Sequence, residues 1–263
     1  MNRVQNIQSI PSDGVLAAGR WQLVADHNAD ILVKEGAKAE LVVTDAAADV
    51  AIAIRVERSA ELRIVHAVKE EGSTTLTVSL NEGAQCRVTE VVLKASQLNV
   101  VANLEEAYAR FELDGAFILT GEEKGSVKVD VNHRVSDCSS RTSFKGVASG
   151  NASGRFSGIV YVAPDAQRTD SEQSSRNVVV GDAHIETLPQ LEIYADDVKC
   201  SHGATVGQMD SDAIFYMRQR GLSLVDAKRL QIEGFVSDVA MHSSIEECAE
   251  MLQEMIDAKL ETL

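Results

Sequence analysis

The chain has 263 residues, 44% of them hydrophobic and only 4% aromatic, and a formal charge of −15. An acidic, globular composition of this kind makes bare nucleic acid and anionic membrane poor partners. No apolar run nears the roughly 20 residues that span a bilayer, and no secretory apolar segment follows Met1-Asn2-Arg3-Val4-Gln5, so a cytoplasmic protein free of membrane is expected.

From about Val15 to Gln208 apolar and polar residues alternate, the period of half-buried strands. The clearest stretches are Ala39-Glu40-Leu41-Val42-Val43, Ala51-Ile52-Ala53-Ile54, Thr75-Leu76-Thr77-Val78, Val127-Lys128-Val129-Asp130-Val131 and Gly158-Ile159-Val160-Tyr161-Val162. Short Gly, Asn, Asp and Ser turns join them; Gly150-Asn151-Ala152-Ser153-Gly154 is one, since it lacks the Lys and Ser/Thr ending of a phosphate loop. A weak motif recurs at Ala39-Glu40-Leu41, Ala60-Glu61-Leu62, Ala84-Gln85-Cys86 and Ala109-Arg110-Phe111, with offsets of 21, 24 and 25 residues. That spacing fits one rung of a β-solenoid, each turn covering the apolar face of the last. An antiparallel sandwich or barrel is the alternative, and the low aromatic and proline content favours stacked aliphatic rungs.

After Gln208 the period becomes helical, which divides the chain into a β body over 1–208 and a small helical region over 209–263. Asp210 or Ser211 caps a first helix carrying Ala213, Ile214, Phe215 and Met217, and Gly221 stops it. Ser223 with Asp226 resembles a capping box opening a second helix with Ala227, Leu230, Gln231 and Phe235. A third begins near Ser243-Ser244-Ile245, with Ile245, Ala249, Leu252, Ile256 and Leu260 on one stripe. The expectation is that these stripes pack on the solenoid end and shield its open edge.

Chemistry concentrates between Pro189 and Gln208. Cys200 and His202 stand two residues apart, so on a strand they share a face. Thiolate and imidazole suit zinc or iron, yet two ligands do not close a site. The other donors must come from elsewhere in the fold, from sulfide or from a second subunit. His184 lies one expected rung earlier, within reach of the same region. His27, His66, His133 and His242 read as surface or hydrogen-bonded residues. Cys86, Cys138, Cys200 and Cys248 are widely spaced reduced thiols rather than a disulfide framework, and burial as a small hydrophobe is the commoner fate of Cys200 taken alone. Asp165, Asp170, Asp182, Asp196 and Asp197 admit a second reading, the paired carboxylates of a solenoid enzyme that cleaves polysaccharide; the shortage of stacking aromatics opposes it. A self-assembling structural solenoid is a third.

The run from Pro189 to Gln208, the segment Ala213-Ile214-Phe215-Tyr216-Met217-Arg218-Gln219-Arg220-Gly221, and Gln167-Arg168-Thr169-Asp170-Ser171-Glu172-Gln173 with Asn177 resemble the SufB/SufD family of iron-sulfur cluster assembly scaffolds. The similarity is dense from about Phe156 to Val239. Cys200-Ser201-His202-Gly203-Ala204-Thr205 is similar to the SufD branch, and the reactive cysteine that SufB carries in the stretch matching Ser174 to Gly181 has no counterpart here. Two features depart from the family: strands begin close to the N-terminus, where it carries a long helical region, and Val178-Val179-Val180 replaces a leucine-rich run. The resemblance implies a mainly β protein built as a right-handed parallel β-helix with terminal helices. It further implies a non-enzymatic scaffold that pairs with a SufB-type subunit or with itself. A SufC-type ATPase would dock on the helical region, with Phe215, Tyr216, Arg218 and Arg220 as its contacts. The cofactor implied is a transient iron-sulfur cluster shared between subunits, with His202 favoured over Cys200 as its contact and no group bound tightly by this chain alone.

Overall fold

The computed structural model describes residues 7–45 and 48–262. Among the described residues seventeen strands form two parallel sheets whose members alternate along the chain. The first contains β1 (Gln8–Ser9), β3 (Gly19–Ala25), β5 (Lys38–Asp45), β7 (Glu61–Val68), β9 (Gln85–Val92), β11 (Arg110–Leu119), β13 (Ser139–Gly150), β15 (Thr169–Gly181) and β17 (Val198–Gln208). The second contains β2 (Val15–Leu16), β4 (Ala29–Val33), β6 (Asp49–Val56), β8 (Gly72–Leu80), β10 (Ser96–Leu104), β12 (Lys124–His133), β14 (Ser153–Val162) and β16 (His184–Ile193). Each strand pairs with the one two places on, so the chain winds as a parallel β-helix with one strand of each sheet per rung. The solenoid expectation holds against the sandwich. Parallel in-register stacking places like residues in columns: Leu62 on Ala39, Cys86 on Leu62, Phe111 on Cys86, Ser140 on Phe111, Ser171 on Ser140 and Cys200 on Ser171.

The recurring alanine motif is real from Ala60 onward but begins two residues earlier than its spelling implies, because Ala39 stacks on Leu62. One column explains the period. Gly36, Ser59, Gly83, Tyr108, Asp137 and Arg168 all adopt left-handed φ between 55° and 65°. The N–H of Ser59 donates to Glu82 O at 2.9 Å and that of Asp137 to Gln167 O at 3.0 Å, and Gly36, Gly83 and Arg168 bond the next rung in the same way. Four of these six are not glycine, so the conformation is imposed by stacking rather than by residue preference.

Inward positions fill the lumen with aliphatic side chains, joined by Phe117, Phe144 and Phe156 with ring centroids 6.0 and 5.4 Å apart. Outward positions of the second sheet are largely polar, whereas those of the first include Val42, Val65, Val91, Ala116, Ile118 and Val147. That apolar face binds the helices. Helix α1 (Ser211–Gln219) starts at Asp210, which caps it, and α2 (Leu224–Met241) at Ser223, whose Oγ accepts from Asp226 N at 3.1 Å. After a short 3-10 turn, α3 (Ala249–Leu260) buries Leu252, Ile256 and Leu260. In α2 the buried stripe is Ala227, Ile232, Val236, Val239 and Ala240, and Leu230 faces solvent. Lys145 Nζ reaches Phe235 O and both carboxylate oxygens of Asp238 at 2.7 Å, and Lys259 Nζ reaches Glu123 at 2.7 and 2.9 Å. The helices therefore lie along a side of the solenoid, correcting the expectation that they close its end. Side packing wins because the apolar columns there run across several rungs, whereas the end offers only one. No described helix is long and apolar enough to cross a membrane.

Candidate functional site at the open last rung

The last rung consists of β16 and β17, each the edge of its sheet. One rung below, the inward residues Gly158, Val160, Val162, Gln173, Ser175 and Asn177 are all buried. Their register partners Pro189, Leu191, Ile193, His202, Ala204 and Val206 are half-buried or exposed. Nothing in sequence pattern separates the two sets; the difference is the missing layer above. β17 also presents the unpaired side of its backbone, a ready template for another chain.

Cys200 and His202 both lie in this uncovered layer, stacked in register on Ser171 and Gln173. The shared face expected from their spacing is therefore present, and it is the lumen face at the open end. Cys200 is half-buried and packs against the cluster of Val160, Val162, Ala166 and Ala195, whereas His202 is exposed. Burial pushes the Cys200 thiol up, the nearby Asp170 carboxylate adds to this, and the Ser171 backbone hydrogen bond only partly offsets them. The thiol is thus the resting form, and a cation or partner arriving at the end is needed to favour the thiolate.

Beneath Cys200 a buried polar chain descends two rungs. Ser171 Oγ lies 2.8 Å from Ser140 Oγ, which lies 2.8 Å from His133 Nε2. Burial lowers His133 to about 4, so the ring is neutral and draws no proton from the thiol. Among the described residues no three His, Cys, Asp or Glu side chains gather as a metal-binding group. Cys200 and His202 supply a donor set of the right softness for iron but only half of a tetrahedral site.

His184 does not join them. It opens β16, whereas Cys200 follows the corner after that strand ends, so roughly 30 Å of strand separates them at about 3.3 Å per residue. His66 and His133 are lumen residues, with His66 Nδ1 2.9 Å from Glu90 Oε2. Asp165, Asp170, Asp182, Asp196 and Asp197 are all solvent-exposed. The polar lumen face of β15, Ser171-Gln173-Ser175-Asn177, escaped sequence reading because both faces of that strand are polar and no apolar alternation marks which turns inward.

The expected partner contacts come together on α1, which buries none of its residues fully. Ala213, Ile214 and Met217 are half-buried, while Phe215 and Tyr216 are 65% and 59% exposed. Arg220 Nη2 donates to Tyr216 Oη at 2.9 Å, Arg218 is exposed, and Leu224 and Val225 at the start of α2 are exposed as well. Only Met209 and Asp210 separate the end of β17 from this helix.

These features define a class: a parallel β-helix whose uncapped end carries a cysteine and a histidine on its lumen face, with an exposed helix joined to the same strand. The profile described as SUF system FeS cluster assembly, SufBD core domain, matches residues 8–235, and the chain belongs to that family. It is 43% identical over 110 residues to the iron-sulfur cluster assembly protein SufD of Escherichia coli (strain K12), covering 41% of this chain and 26% of that protein. An iron-sulfur cluster assembly SufBD family protein of Synechocystis sp. is 33% identical over 168 residues, covering 63% of this chain and 37% of the relative. The chloroplastic protein ABCI7 of Arabidopsis thaliana is 39% identical over 94 residues, 35% of this chain and 20% of that protein. The chain thus spans well under half the length of these relatives.

Proposed function

We propose that this chain is a non-catalytic scaffold subunit of a SUF-type complex, holding one side of a site where an iron-sulfur cluster is built as cargo. The observation that carries the reading is the uncovered last rung with His202 and Cys200 on its lumen face. A SufB-type subunit, or a second copy of this chain, covers β16 and β17 and supplies the remaining donors. His202 is the direct donor because it is exposed, and half-buried Cys200 is the second or a packing neighbour. The platform of Phe215, Tyr216, Arg218 and Arg220 receives a SufC-type ATPase. Its movement reaches the site through β17, which holds the donors near one end and leads into α1 at the other.

His202→Ala in the anaerobically assembled complex tests this. The variant should fold, associate and lose most of the cluster, read as iron and sulfide per complex. Full cluster content with unchanged complex mass refutes the donor role.

A further inference from the structure

Gln173 sits at the middle of β15 with 0% exposure, and neither end of its side-chain amide has a hydrogen-bond partner. A primary amide stripped of water on both sides is rarely left so, since nothing replaces the hydration it lost. The fold makes room for it: a Cβ on Gly158, across the lumen on β14, would overlap Gln173 Nε2 and sit 3.1 Å from Val129 O. In register Gln173 stands between buried Thr142 on one side and His202 on the other. Neighbouring parallel strands are about 4.8 Å apart and both side chains face the lumen, but the amide Nε2 points across to Gly158 and no hydrogen bond joins it to His202 as the ring stands. Asn177 Oδ1 and Thr187 Oγ1 are likewise buried in these last two rungs without partners, marking this end of the lumen as built for polar contacts.

We propose that Gln173 is the positioning residue of His202. A turn of the exposed His202 ring brings its Nδ1–H onto Gln173 Oε1, which then accepts it, holds the ring across the open end and leaves the Nε2 lone pair directed at whatever covers the last rung. The proposal rests on the reading of His202 as a donor and supplies what that role requires, since a ligating imidazole must be held in one tautomer by an acceptor behind it. An amide suits the task better than a carboxylate: it orients the ring without drawing a second proton onto it, and imidazolium has no lone pair to offer.

The test uses the full chain, labelled with nitrogen-15 histidine, in metal-free buffer at pH 8. Two-bond proton-nitrogen spectra report the tautomer of each ring, with His202 assigned by its loss in His202→Gln. In the wild type His202 should be mainly Nδ1–H, the reverse of the preference of a free histidine side chain. Gln173→Leu should lower the Nδ1–H to Nε2–H ratio roughly fivefold to tenfold, the effect of losing one ordinary hydrogen bond. The signals of buried His66 and His133 should not move, and Gln173→Glu, which keeps an acceptor, should restore the Nδ1–H form. An unchanged His202 tautomer ratio in a folded Gln173→Leu overturns the proposal. If that variant fails to fold, the wild type alone decides, because a mainly Nε2–H His202 also overturns it. The scaffold reading fails separately, on the cluster content of His202→Ala, which leaves the tautomer result standing.

Discussion

Gly115→Ala should destabilise the protein although it replaces glycine by alanine within a strand. Gly115 points into the lumen of β11, where an added Cβ would overlap Cε2 of Phe144 and lie 2.9 Å from its Cδ2 and 3.0 Å from Glu90 O. Carbon contacts are optimal at about 3.5 to 4 Å, so the ring or the backbone must yield. The ring has little freedom, being 1% exposed and sandwiched between Phe117 and Phe156 at centroid distances of 6.0 and 5.4 Å. Glu90 O belongs to the adjacent strand and is fixed by its ladder. Overpacking of this kind costs about 1 to 3 kcal/mol, while the restricted unfolded chain returns about 0.4 to 1 kcal/mol. The mid-range net loss is about 1.3 kcal/mol, and at most about 2.6 kcal/mol, a fall in Tm of about 3 to 5 °C and at most about 10 °C. Gly203→Ala on β17 is the matched control, because its Cβ meets nothing within 4 Å and its backbone φ is ordinary. It should be neutral or stabilising by up to about 1 kcal/mol. Urea and thermal unfolding of both variants decide the matter. If Gly115→Ala is as stable as Gly203→Ala, the account of a tightly filled aromatic lumen is wrong.

Acid sensitivity should trace to His133. Its folded pKa, depressed to about 4 by burial, lies below the unfolded value of about 6.5. Stability is therefore complete above pH 6.5 and falls as pH drops toward 4, by up to about 3 kcal/mol. His133→Asn should flatten that limb of a stability-pH profile, and an unchanged slope would remove His133 as its source. Thiol labelling should be led by Cys200, since Cys86, Cys138 and Cys248 are buried with raised pKa values. A fast phase that survives in Cys200→Ser would contradict this ranking. Phe215→Ser with Tyr216→Ser should weaken binding of the SufC-type ATPase at least tenfold, about 1.4 kcal/mol, yet shift Tm by less than about 1 °C because α1 buries neither ring. A large loss of stability would show instead that these rings hold the fold.

Helix caps were legible because their signals are local. Asp210 and Ser223 each bond an N–H two or three residues away, whatever the rest of the chain does. The Cys200 and His202 pairing was legible for the same reason, since two residues on a strand always share a face. Gln173 was not, because its importance lies in a neighbour 29 positions along the chain and in a glycine on the opposite sheet. His184 misled because proximity in rung number says nothing about which end of the rung a residue occupies.

Taken alone, the amino-acid order determined the strand period, the three helices and the thiol-imidazole pair, all of which depend on contacts within a few residues. Only the tertiary structure decided that the helices cover a side of the solenoid and leave its last rung open. Two surfaces compete for the apolar stripes of α2 and α3, and which one wins depends on the apolar area summed across Val42, Val65, Val91, Ala116, Ile118 and Val147 from five strands. Burial is a property of that sum, and no local stretch of the chain contains it.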